Sequence, residues 1–120
     1  MKRLFIITCL VTLIEVAGWA QSGNPFGTGK WLHDCWTEEK RLETGDIKAD
    51  VYNAGIYVGF VTGLSLLFRN ASKSSVPDDV TNDQISVVVV NYLEKHPEEW
   101  HLPAYEIVIR AMQAAWPYKK

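Results

Sequence analysis

The sequence predicts an all-α fold, a small bundle of four to five helices behind a cleavable signal peptide. Three observations carry this. Apolar residues recur at i, i+3 and i+4 through most of the chain after residue 28. Residues that start helices stand ahead of those runs, and glycine or proline stands behind them. No segment alternates apolar and polar residues for long, so a half-buried strand has nothing to be built from.

The chain opens with Met1-Lys2-Arg3, an apolar stretch from Leu4 to Ala17, and Gly18-Trp19-Ala20. A basic start, an apolar run and small residues at the −3 and −1 positions of a cut after Ala20 are the marks of a secretory signal peptide. Glu15 interrupts the late part of that run, and an uncleaved anchor is the alternative. Residues 1–20 are therefore expected to be a signal peptide and residues 21–120 a single helical domain. Its 100 residues suffice for a core without staples. Without Lys2, Arg3 and Glu15 the chain keeps ten basic and thirteen acidic residues, a net charge of −3. Nucleic acid, which asks for a basic face, is disfavoured as a partner. Cys9 leaves with the leader, so Cys35 remains alone and an intramolecular disulfide is excluded.

After a flexible stretch from Gln21 to Gly27, Thr28 offers an N-cap to a first helix from Gly29 to about Glu43. Trp31, Leu32, Cys35, Trp36 and Leu42 fall on one side of it. The second helix is expected from Asp46 to about Phe68. Its stretch from Val51 to Phe68 carries no charge, which reaches the lower length for a membrane span. Asn53, Thr62, Ser65 and three glycines keep it mildly hydrophobic, so the expectation is the buried central helix of a bundle, with no membrane contact once the leader is gone. Gly55, Gly59 and Gly63 recur every fourth residue, and this stripe is expected at a helix crossing. Were the stripe to face outward, it would suit the seam of a homodimer.

Arg69 to Thr81 reads as an exposed loop. Thr81-Asn82-Asp83-Gln84 is a capping box for a third helix that turns Ile85, Val88, Val89, Tyr92 and Leu93 inward. His96-Pro97-Glu98-Glu99-Trp100-His101-Leu102 breaks the pattern. Pro103 can then open a fourth helix, whose Ala104, Ile107, Val108, Ala111, Met112 and Ala115 form one stripe before Pro117 stops it.

Residues from Val76-Pro77-Asp78-Asp79-Val80-Thr81 through Tyr92-Leu93-Glu94-Lys95-His96-Pro97-Glu98-Glu99 and His101-Leu102-Pro103-Ala104 to Trp116-Pro117 form a distinctive series. Thr28-Gly29, Leu32, Cys35 and Gly59-Phe60-Val61-Thr62-Gly63 extend it upstream. Together they resemble the Rap/Tai family of bacterial immunity proteins, which protect against amidases delivered by type VI secretion. The resemblance implies a helical fold and a periplasmic protein that binds and inhibits a peptidoglycan amidase effector, and it is consistent with a homodimer. Members usually carry cysteines where this chain has Tyr57, Ser75 and Tyr118. The last two replacements look paired, as though one disulfide disappeared as a unit.

Catalytic chemistry is not legible. His33 and Cys35 lie on opposite flanks of a helix, which does not make a nucleophile–base pair. His96 and His101 with Glu98 and Glu99 between them suggest zinc only weakly, since Pro97 disrupts the helix that would align them. No catalytic residue, metal or cofactor is therefore assigned. The competing function is a small periplasmic helical chaperone or envelope-stress binding protein. For partner contact the sequence offers Lys73, Ser74, Asp78 and Asp79 in the polar loop, expected to be free of the core. Trp100 in the turn is the second choice.

Overall fold

The computed structural model describes residues 27–120, so the expected signal peptide and its expected cleavage after Ala20 lie outside the described residues. Four α-helices stand in it: α1 Gly29–Glu43, α2 Val51–Arg69, α3 Asn82–Lys95 and α4 Ala104–Ala115. A single 3-10 turn, Pro97–Glu99, joins α3 to α4. Among the described residues there is no strand, and the sole bridge pairs Thr28 with Pro103. The all-α reading holds.

Local chemistry explains the helix starts. The Thr28 hydroxyl accepts from the Trp31 N–H at 3.3 Å. The Thr81 hydroxyl accepts from the Gln84 N–H at 3.2 Å while the Gln84 amide oxygen accepts from the Thr81 N–H at 2.8 Å, closing the capping box the sequence spells out. With that cap in place the valine run folds as helix. At α4, Pro103 stands one place before the first helical residue, as the N-cap.

The start of α2 differs from expectation. It begins at Val51, because residues 44–50 are spent on a turn. Gly45 adopts φ +80°, a conformation that suits glycine. Arg41 Nε donates to Asp46 at 2.9 Å, and the other Asp46 oxygen accepts from the Lys48 N–H at 2.9 Å. Asp50 then caps α2 by accepting from the N–H groups of Tyr52 and Asn53.

The core joins Leu32 and Cys35 of α1, Tyr57, Val61 and Phe68 of α2, Ile85, Val89 and Leu93 of α3, and the inner face of α4. That face is Ala104, Ile107, Val108, Ala111 and Met112; Ala115, expected inside, is exposed. Leu42 is also exposed, Val88 and Tyr92 are only half-buried, and Val90 is buried instead. Trp31 packs edge-on against Phe60 with ring centres 5.7 Å apart. Cys35 is buried, and burial, with the charges of Asp34 and Asp50, pushes its thiol pKa up. It is a core residue, closed to an intermolecular disulfide.

The glycine stripe corrects the sequence reading. Gly55, Gly59 and Gly63 are exposed, and a Cβ built on any of them meets nothing within 4 Å. Tyr57, Val61, Ser65 and Phe68 occupy the buried face of α2, so the glycines lie on its outside. The helix is therefore a flank of the bundle rather than its centre. Length and composition would let α2 cross a membrane, yet one face is committed to the core.

Tyr57 is fully buried, and its hydroxyl donates to the Ser86 carbonyl at 2.9 Å. Burial raises its pKa to about 12, against 10.0 for a free phenol. Above pH 10 the unfolded chain loses this proton while the folded chain keeps it, so stability falls as pH rises from 10 towards 12. Urea midpoints across that range should decline in the parent. Tyr57→Phe should abolish this component, whose size is about 2 kcal/mol at the top of the range.

Candidate partner-binding surface

Two segments compete for partner contact, and the structure treats them differently. The turn at residues 96–102 is built into the bundle. Trp100 is half-buried, its indole N–H donates to the Leu93 carbonyl at 2.8 Å, and its ring stacks on His33 at 4.6 Å. Its carbonyl accepts from the Lys30 N–H at 2.9 Å, and the Leu102 carbonyl accepts from the Gly29 N–H at 2.9 Å. Glu99 accepts from the Tyr92 hydroxyl at 2.9 Å and from Arg110 at 3.1 Å. The turn is thus the dock on which the start of α1 sits.

His96, Glu98 and Glu99 can bring one ligand atom each within 4.8 Å of one another, with His101 outside the group. Several of these groups already bond one another or their neighbours. His96 Nδ1 bonds Glu98 at 2.9 Å, which lowers the Glu98 pKa, while Arg110 and Tyr92 hold Glu99. A cation held by Glu99 would compete with Arg110 for that carboxylate. The arrangement is a structural clamp.

The loop at residues 70–80 is less free than its composition suggests. Val76 and Val80 pack on the core, and Arg69 donates to the Val80 carbonyl from beneath. The Lys73 carbonyl accepts from the Lys119 N–H at 2.8 Å. The Ser75 hydroxyl donates to the Pro117 carbonyl at 2.5 Å, and Tyr118 stacks on Phe68 with ring centres 5.2 Å apart. Where the resemblance implies a disulfide between positions 75 and 118, this chain holds loop and tail together by a hydrogen bond and a ring stack. The expectation of a loop that touches little of the core is corrected accordingly. Among the four candidates in it, Lys73, Asp78 and Asp79 project into solvent, whereas Ser74 is half-buried and its hydroxyl accepts from the Val76 N–H at 3.4 Å.

Sequence reasoning missed three grooves. One, about 560 Å³, lies between α1 and α2 and is lined by Glu39, Leu42, Glu43, Val51, Ala54, Gly55, Val58 and Gly59. A smaller one, about 160 Å³, runs between α1 and α3 past Trp36, Glu39, Lys40, Glu43, Asp83, Ser86, Val87 and Val90. The third, about 480 Å³, is floored by Val80, Val87, Val88 and Trp116 beside Asp83 and Gln84. Shared residues make them neighbours along one band. A signal for the third was present, since four successive valines at 100° per residue cannot all face a core. Val87 is the one turned out, 55% exposed.

In a comparison with protein families, residues 28–118 match the family described as Rap1a immunity proteins. No curated protein and no solved structure matches the chain. The matched residues run from the Thr28 cap through all four helices, the docked turn and the tail that ties down the loop, and the chain therefore belongs to the Rap1a immunity protein family.

Proposed function

We propose that this chain is an exported immunity protein that works in the periplasm after removal of residues 1–20, binding and inhibiting a cell-wall amidase effector of a type VI secretion system. The observation that carries the reading is the family match across the whole helical domain. The fold is compatible with it: a rigid scaffold presents exposed polar side chains, and occlusion of a cleft needs no chemistry of its own. Lys73, Ser74, Asp78 and Asp79 are the proposed contacts, with Trp100 as the second choice. The test is inhibition of wall hydrolysis by the purified partner amidase. A Lys73→Ala, Asp78→Ala, Asp79→Ala variant spares the Ser75–Pro117 tie. It should stay fully helical and weaken inhibition roughly tenfold or more. Undiminished inhibition by that variant would remove the loop from the interface.

The same reading includes a homodimer through the outer face of α2. Val51, Tyr52, Leu66 and Leu67 are 64%, 77%, 52% and 72% exposed there, with no charge between Val51 and Phe68. Bare glycine backbone along that face allows two helices to approach closely. Gly59→Leu should raise monomer stability by about 0.5–1 kcal/mol, since leucine outranks glycine in an exposed helix. The same change should convert a dimer to a monomer by light scattering. An unchanged mass would place any dimer seam elsewhere. A chaperone reading draws on this face too, and suppression of client aggregation by the parent chain would favour it.

A further inference from the structure

We propose that the groove between α3 and the end of α4 is a docking site for a basic, apolar-tipped segment of the partner effector. Its floor is Val80, Val87, Val88 and Trp116, a run of aliphatic and aromatic surface open to solvent. Asp83 stands on its wall and also on that of the neighbouring groove, where Glu39 and Glu43 join it. Asp78 and Asp79 lead directly into Val80 and are exposed. No ion pair among the described residues neutralises Asp78, Asp79, Asp83 or Glu39. Two cations on adjoining segments are engaged: Lys40 pairs with Glu43 at 3.2 Å, and Arg69 faces the Val80 carbonyl, while Lys73, Lys119 and Lys120 lie on the loop and tail beyond Trp116.

The carboxylates repel one another. The Glu39 pKa is raised by burial first and then by Glu43; Lys40 offsets part of this, and Asp83 adds a smaller push upward. This selects the occupant. A second copy would bring the same uncompensated acids against these, whereas the uncharged α2 face has no such penalty. A partner with lysine or arginine around an aliphatic or aromatic tip would relieve the repulsion and fill the floor together.

The identity of the partner rests on the immunity reading, so the test separates the two. Three synthetic amphipathic peptides serve as probes: Leu/Lys, Leu/Glu and Ser/Lys. The Leu/Lys peptide alone should bind, more weakly as NaCl rises. Val87→Ser, and separately Glu39→Gln with Asp83→Asn, should each weaken it roughly tenfold. Val87→Thr, nearly isosteric, replaces Val87→Ser if circular dichroism shows the latter unfolded. Equal binding of Leu/Glu or Ser/Lys, no binding of Leu/Lys, or unaltered binding by these variants overturns the groove. Peptide binding without amidase inhibition by the parent keeps the groove and removes the immunity reading. Full inhibition by the groove variants keeps that reading and removes the effector from the groove.

Discussion

Trp100→Ala is expected to lower the stability of the domain by about 2–4 kcal/mol, through lost burial and a lost hydrogen bond. The indole covers part of the core, donates to Leu93 at 2.8 Å and stacks on His33. The Leu93 carbonyl keeps a longer bond from the His96 N–H, 3.3 Å, so it is not stranded, and the burial term dominates. Trp100→Phe keeps a ring against the core and should lose only about 1 kcal/mol. Urea midpoints at unchanged slope are the measurement. The comparison also decides how the residue is to be read at an interface. If partner affinity falls only in proportion to the folded fraction, Trp100 supports the surface from behind. A loss of affinity in a fully folded Trp100→Phe would make it a contact.

Gly29→Ala is expected to destabilise by about 1–3 kcal/mol, the range for overpacking a close contact. Helix propensity alone gives the opposite sign, because alanine is the better helix former. Position decides against propensity. A Cβ on Gly29 would lie 3.0 Å from Trp100 Cα, 3.2 Å from the Trp100 carbonyl oxygen and 3.3 Å from Ile107 Cγ1. Two of these atoms are backbone, and that backbone is held by the bonds from Gly29 to Leu102 and from Lys30 to Trp100. It cannot yield without undoing the dock. For a domain of this size the melting temperature should drop by roughly 4–8 °C per kcal/mol. The contrast with Gly59, where a larger side chain is expected to stabilise, separates a glycine kept for space from one on an open face. A melting temperature at or above the parent's for Gly29→Ala would mean that the turn can move away from α1.

Much of this architecture was determined by the sequence itself. Thr81 with Gln84, Thr28 and Pro117 set helix boundaries through chemistry that acts within a few residues, and such chemistry is legible without a fold. The buried stripe of α4 could be read for the same reason: its apolar and polar sides differ, so periodicity names the inner face. The start of α2 was not legible, because Asp46 and Asp50 are both good caps and only the reach of Arg41 to Asp46 assigns the first to the turn.

Tertiary structure alone decided the rest. Helix α2 has no charge from Val51 to Phe68, so nothing in its pattern says which side is covered. Packing against α1 and α3 buried Tyr57 and Val61 and turned the glycines outward. The loop looked free because its composition is that of a free loop. Its ties run to Pro117 and Lys119, far along the chain, where no local rule reaches. The groove at Val87 exists because α3 can bury only part of its valine run against one core. Periodicity tells a chain which residues share a face; only the partners assembled in three dimensions decide which faces are closed.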